Sequence, residues 1–142
     1  GERIDTLQAA ILAAKLRHLE AWTAARRRLA ARYTELLADY HGEIVLPFVH
    51  GNAAPAWHLY VIRTQQRDAL LDHLNRSGIG AGIHYPTPLH LQPAYADLGY
   101  VRGALPVTEE VADTCLSLPI FPEMTDAQQD SVVAAIRTFL GD

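Results

Sequence analysis

The sequence has few of the residues on which several functional classes depend. Its 142 residues include one cysteine, Cys115, and one lysine, Lys15, beside eleven arginines. A single cysteine excludes a disulfide within the chain and predicts a reducing, cytoplasmic compartment. The net charge of −4 lacks the basic footprint of nucleic-acid-binding proteins. No run is apolar enough to cross a bilayer and we expect no secretory signal, so neither nucleic acid nor a membrane is an expected partner.

The composition is otherwise that of an ordinary globular domain, with 49% apolar and 20% charged residues. The segment from Glu2 to His41 contains neither Gly nor Pro, and apolar residues recur in it at spacings of three and four, which predicts a helix. Unbroken, this helix would measure about 55–60 Å, roughly twice the diameter of a small domain. It is therefore either kinked or extends beyond this domain, and its early apolar residues Ile4, Leu7 and Ile11 favour the second option.

Short strands and further helices follow the long helix. Residues 57–64 are β-branched and aromatic and apolar on both faces, which predicts a strand in a sheet covered on both sides. Similar signals predict strands at 80–85 and 116–119 and helices at 66–76, 107–114 and 126–140. With strands this short and no glycine-rich nucleotide loop, we expect an α+β fold, in which a long N-terminal helix and other helices cover a small, mainly antiparallel three-stranded sheet.

Three groups of residues invite a chemical role that the local pattern does not support. His84 and His90 flank two prolines, but no Cys or carboxylate lies between them, so we expect no metal site. Cys115 adjoins an apolar strand and is expected to be a small buried hydrophobe and not a nucleophile. A run of arginines on the long helix predicts a solvated face, with a phosphate contact left open; it comprises Arg26, Arg27, Arg28 and Arg32.

The segment from His84 to His90 is different, because Pro86 and Pro88 hold an imidazole, a phenol and a second imidazole on a loop at the end of a strand. Polar aromatic groups on a scaffolded loop are typical of substrate-positioning sites. A surface loop whose Tyr85 and histidines pack on neighbouring helices explains the same residues. The residues alone support the two interpretations equally.

Six strings that occur in order along almost the whole chain carry a family resemblance. The strings are RIDTLQAAIL at 3–12, WHLYVI at 57–62, IHYP at 83–86, QPAY at 92–95, LGY at 98–100 and LSLP at 116–119. Together they resemble the C-terminal part of the DegT/DnrJ/EryC1/StrS family of pyridoxal-phosphate-dependent sugar aminotransferases. The resemblance implies transfer of an amino group from an amino acid such as glutamate to a keto group on a nucleotide-linked sugar.

For this chain the resemblance implies that residues 1–142 are the small C-terminal domain of such an enzyme. The family's cofactor-binding lysine lies in a large N-terminal domain, and Lys15 does not resemble it in position. We therefore expect no catalytic residue here, no cofactor bound by this chain alone and no activity of the isolated chain. Pyridoxal phosphate would belong to the full-length enzyme.

The resemblance also implies binding positions. The family's loop that matches His84 and Tyr85 crosses to the partner subunit of a homodimer and lines the nucleotide-sugar pocket, so these are the expected substrate-binding residues. Gly1 stands where the family has an Asn that reaches the cofactor phosphate of the partner subunit. The early apolar residues of the first helix would pack on the large domain and the dimer partner. The alternative hypothesis is a stand-alone, non-catalytic domain that binds nucleotide-sugars or another protein through the same loop.

Overall fold

The computed structural model describes residues 5–141, so predictions that concern Gly1 and Ile4 lie outside the described residues. The described chain forms α1 (Thr6–Leu16), α2 (Leu19–Leu36), β1 (Tyr60–Arg63), α3 (Arg67–Arg76), α4 (Pro106–Thr114), β2 (Cys115–Leu118) and α5 (Asp126–Leu140), with 3-10 turns at Ala38–Tyr40, Leu89–Leu91 and Pro93–Leu98. None of the helices in this part combines the length and the apolarity needed to cross a membrane.

The predicted long helix is two helices, α1 and α2, separated at Arg17 and His18. There the backbone tightens, because the His18 N–H donates to the carbonyl of Lys15, three residues back, at 2.9 Å. The His18 ring stacks on Trp22 with 5.5 Å between ring centroids. Neither Gly nor Pro marks the break, so the residue pattern did not predict its place. The predicted helix is thus interrupted at these two residues, and α1 buries no residue against the rest of the described chain.

The apolar residues of α1 form an uncovered stripe within the described chain. Leu7, Leu12 and Leu16 are 70%, 50% and 66% exposed. A hollow of about 540 Å³ lies where α1 meets α2, and Leu16 and Trp22 are among the residues that line it. Contiguous exposed apolar surface of this kind marks an interaction site or an association hazard.

We expect this chain to self-associate through α1 when it is studied alone. Covering Leu7 and Ile11 recovers roughly 1.5–3 kcal/mol for each fully buried side chain. Sedimentation over a wide concentration range measures the association, and a Leu7→Glu, Ile11→Glu variant is the matched control that should return the chain to monomer. A clean monomer of the unmodified chain at every concentration would count against this expectation.

Helix α2, unlike α1, has a buried face that contributes to the core. Leu29 and Tyr33 lie one turn apart on it and are fully buried, as is Leu37 directly after its end. The Tyr33 hydroxyl donates to the carbonyl of Pro119 at 2.9 Å, and its ring centroid lies 5.0 Å from that of Tyr60 on β1. Burial raises the pKa of Tyr33. Tyr33 therefore joins helix α2 to strand β1 and to the segment after β2.

Within residues 5–141 the sheet has two strands and not the three predicted. Strands β1 and β2 pair antiparallel, with Val61 opposite Ser117. The predicted strand at 80–85 contributes one isolated antiparallel bridge, from Gly82 to Ser117. Glycine brings no side chain to pack on a sheet, and Pro86 cannot donate to a ladder, so the pairing does not extend. The α+β fold class is confirmed with this correction in strand count.

Helix α5 closes the core at its predicted bounds. Thr125 and Gln128 form a reciprocal capping box at its start, and Gly141 ends it with a φ of 101°, which glycine adopts without strain. Gln129 on this helix is fully buried and donates through Nε2 to the carbonyl of Leu29 at 2.7 Å. This bond joins α5 to α2 across the core.

Candidate functional site

His84 lies against the sheet, because Gly82, two residues before it, pairs with Ser117 on β2. Gly82 and Ser117 exchange two backbone hydrogen bonds of 2.8 and 3.1 Å, and Ser117 is buried in β2. The Ser117 hydroxyl lies 3.0 Å from Nδ1 of His84. When the hydroxyl donates to Nδ1, the proton of the neutral ring is on Nε2, which is then available to donate to a ligand.

Two residues to which sequence reasoning gave no role set the orientation of His84. Ser117 holds the ring through its hydroxyl, and Gly82 leaves room for it, because a Cβ at Gly82 would lie 3.3 Å from His84 Cε1. Ser117 stands in the LSLP string, but it is 33 positions from His84 along the chain. Only the pairing of Gly82 with β2 brings the two together.

Tyr85 lies beside His84 at the edge of the loop. Its side chain is 74% exposed, and the two rings meet edge to face with centroids 5.6 Å apart. An open hollow of about 320 Å³ adjoins Tyr85, and its other lining residues are Pro86, Thr87, Gln92, Pro93 and Ala94. An imidazole and a phenol side by side can donate two hydrogen bonds to one ligand. Their role in substrate binding stays a prediction.

His90 does not join this pair. It is buried, and its Nε2 lies 3.0 Å from Oε1 of Glu109. The Glu109 carboxylate also accepts from the N–H of Gly103 at 2.8 and 2.9 Å and from the N–H of Leu105 at 3.3 Å. The Gly103 N–H and, after it, the His90 side chain hold the pKa of Glu109 below its usual range. His90 is thus a packed loop residue, whereas Tyr85 is exposed.

The arginines of α2 are held by the protein itself. Arg26 donates through Nη1 to three carbonyl oxygens, those of Trp57, His58 and Ile120, at 3.2, 3.4 and 3.0 Å. The partners of the next three arginines are, in order, the Pro55 carbonyl with Arg27, Asp126 with Arg28 and Asp130 with Arg32. The expectation of a solvated face is therefore wrong for Arg26, which is half-buried, whereas Arg27 and Arg28 are exposed as expected.

The chain matches a known protein family over almost its whole length. The sequence profile of the DegT/DnrJ/EryC1/StrS aminotransferase family matches residues 1–137. This chain belongs to that family. The resemblance carried by the six strings is thereby confirmed.

Two family relatives illustrate how much of a longer protein the chain matches. The erythromycin biosynthesis sensory transduction protein EryC1 of Saccharopolyspora erythraea is 50% identical over 95% of this chain and 37% of its own length. The dTDP-3-amino-3,4,6-trideoxy-alpha-D-glucose transaminase of Streptomyces venezuelae is 44% identical over 96% of this chain and 36% of its own length. The chain thus spans little more than a third of the relatives it matches.

Three solved structures have the same fold. S. venezuelae DesV, in complex with a ketimine intermediate, superposes with a TM-score of 0.94 at 41% identity and covers 99% of this chain and 38% of its own. An aminotransferase of the family from Brucella abortus gives a TM-score of 0.90 at 41% identity, with coverages of 99% and 37%. NtdA from Bacillus subtilis, with bound cofactor PMP, gives 0.87 at 30% identity, with coverages of 99% and 33%.

The surroundings of Lys15 do not fit pyridoxal phosphate. Lys15, the chain's one lysine, lies on α1 beside an apolar hollow otherwise lined by alanine, leucine and tryptophan. That lining has no carboxylate for a pyridine nitrogen and no arginine for a phosphate. Over the same described residues, no three His, Cys, Asp or Glu side chains are placed to hold a metal ion. Cys115 is 3% exposed, which confirms the prediction of a small buried hydrophobe.

Proposed function

We propose that this chain is the C-terminal small domain of a pyridoxal-phosphate-dependent aminotransferase that transfers an amino group from an amino acid such as glutamate to a keto group on a nucleotide-linked sugar. The observation that carries the proposal is the exposed pair of His84 and Tyr85, held to β2 through Ser117, in a member of this family. Relatives named as transaminases of dTDP-linked and UDP-linked sugars support it. The domain would supply a substrate-binding loop and dimer contacts.

The two exposed side chains suit the chemistry of a nucleotide-linked sugar. Such a substrate presents diphosphate oxygens and hydroxyl groups, to which an imidazole N–H of His84 and the O–H of Tyr85 can donate. Each hydrogen bond to a charged acceptor contributes roughly 1.5–3 kcal/mol. The pair would hold and orient the sugar. When bound in the large domain, the cofactor supplies the electron sink that amino transfer requires.

The uncovered stripe of α1 supports the assembly part of the proposal. In a homodimer of the full-length protein, the large domain and the partner subunit would cover Leu7 and Ile11, which are exposed in the described chain. The chain matches 37% of the length of EryC1, and the remaining length of that relative is enough for a large domain. The buried thiol of Cys115 accords with the reducing cytoplasm that the composition predicts.

The alternative, a stand-alone non-catalytic domain that uses the same loop to bind nucleotide-sugars or a protein, has its own support. Two relatives carry regulatory names, the sensory transduction protein EryC1 and the pleiotropic regulatory protein of Geobacillus stearothermophilus. The two candidates differ in whether the full-length protein holds a cofactor, and this difference decides the test.

We expect this chain alone to retain no pyridoxal phosphate after dialysis, whereas the full-length protein retains it in stoichiometric amount. The reason is the apolar setting of Lys15. Visible absorption before and after dialysis, followed by borohydride reduction and peptide mapping, measures both proteins.

Cofactor fixed on Lys15 of the chain alone and resistant to dialysis would contradict the proposal. A full-length protein that binds nucleotide-sugars but retains no cofactor would favour the alternative.

A further inference from the structure

The loop that carries Tyr85 is attached to the rest of the chain by few side chains. Between His84 and Tyr100, only Pro88 and His90 are buried. The backbone hydrogen bonds of this loop are local, as in the bond from the Leu91 N–H to the carbonyl of Pro88 at 3.0 Å. Pro88 has no side-chain group that can form a hydrogen bond, so the polar attachment of the loop depends on what holds His90.

His90 is held by a buried carboxylate. The side chains of His90 and Glu109 are 5% and 8% exposed, and the atoms Nε2 and Oε1 lie 3.0 Å apart. An ionised carboxylate only accepts hydrogen bonds, so the His90 Nε2–H donates. The other ring nitrogen, Nδ1, is buried and has no hydrogen-bond partner among the described residues. The polar attachment of this ring is therefore the single bond to Glu109.

Glu109 in turn joins several segments to one helix. Its carboxylate accepts from the N–H groups of Gly103 and Leu105 in the connection before α4, and Glu109 itself is on α4. Helix α4 runs directly into β2, where Ser117 holds His84. The unit formed by α4 and β2 thus holds the loop at His84 and at His90, and Tyr85 lies between these two residues.

We propose that His90 and Glu109 are positioning residues, a buried imidazole–carboxylate pair that fixes the Tyr85 loop on the α4–β2 unit and thereby sets the affinity for the nucleotide-linked sugar. This inference rests on the proposed function of the loop. Neither residue touches the sugar, and the pair acts through the placement of Tyr85. A pair with a structural role alone would change the stability of the protein without changing its sugar KM at temperatures where it is folded.

The test compares variants of the full-length enzyme. Glu109→Gln keeps the size of the side chain but replaces one accepting oxygen by a donor, and His90→Asn is too short to reach Glu109. Each is expected to raise the sugar KM about five-fold with kcat little changed, whereas His90→Gln, which places an amide N–H near the position of Nε2, should restore most of the affinity. Hydrogen exchange in residues 85–98 should be faster in the first two variants.

Asp113→Asn is the matched control, because Asp113 is also on α4 but makes an exposed ion pair with Arg102 at 3.2 Å. It should change neither the KM nor the exchange. Unchanged sugar KM in Glu109→Gln, in an enzyme whose KM responds to Tyr85→Phe, would overturn the positioning role. Unchanged KM in both Glu109→Gln and Tyr85→Phe would instead overturn the proposed function of the loop, and the positioning role with it.

Discussion

Replacing His84 with alanine in the full-length enzyme is expected to raise the apparent KM for the nucleotide-linked sugar about ten-fold or more, the scale of one lost hydrogen bond to a charged acceptor. Tyr85→Phe removes only a hydroxyl and should have an effect of similar size. Neither change should affect the half-reaction with the amino donor or the retention of cofactor, because the loop serves the sugar. Steady-state kinetics with varied sugar and the absorbance of the bound cofactor measure these quantities.

Ser117→Ala is expected to have a smaller effect on the sugar KM than His84→Ala. It leaves His84 in place but removes the hydroxyl 3.0 Å from Nδ1, so the sugar KM should rise by less than in His84→Ala. His50→Ala, at an exposed histidine on another loop, is the matched control and should leave the KM unchanged. Normal sugar kinetics in both His84→Ala and Tyr85→Phe, or loss of cofactor in either variant, would show that the loop does not bind the sugar.

A large loss of stability is expected when Arg26 is replaced with alanine. Its Nη1 donates to the carbonyls of Trp57, His58 and Ile120, which precede β1 and follow β2. Removal of a partly buried charged donor leaves those carbonyls without it, so Arg26→Ala should lower the free energy of unfolding by roughly 2–3 kcal/mol. Denaturant unfolding followed by circular dichroism measures the change.

Arg28→Ala is the matched control two positions along the same helix. Arg28 makes an exposed ion pair with Asp126, and such pairs contribute below about 1 kcal/mol. Equal losses in the two variants would contradict the account of Arg26 as a partly buried link between α2 and the segments beside the sheet.

Much of the fold follows from signals that act within a few residues. The helix predicted at 126–140 has the same bounds in the structure, where Thr125 and Gln128 cap its start and Gly141 its end, because capping satisfies the helix's own backbone groups. The prediction of a strand at 80–85 was wrong, because strand formation depends on a distant partner and not on local signals. A strand needs a partner along its length, and the chain near Gly82 finds one only at Ser117.

The candidate site was predictable only in part. The residues alone left the interpretation of 84–90 open, and the family resemblance singled out His84 and Tyr85. The residues that hold the loop lie far along the chain, since Ser117 is 33 positions from His84 and Glu109 is 19 positions from His90. Such contacts arise from the packing of α4 and β2 on the loop and leave no local pattern in the sequence.

The most direct test of the central claim is isotope transfer by the full-length protein. The protein is incubated with glutamate labelled with ¹⁵N at its amino group and a panel of dTDP-linked and UDP-linked keto-sugars, and the nucleotide-sugars are analysed by mass spectrometry. The account predicts that the label appears in a nucleotide-linked amino sugar, and that a variant with both His84→Ala and Tyr85→Phe needs a much higher sugar concentration to form it. Label that never leaves the amino acid, with the protein loaded with cofactor and every sugar in the panel tried, would contradict the account.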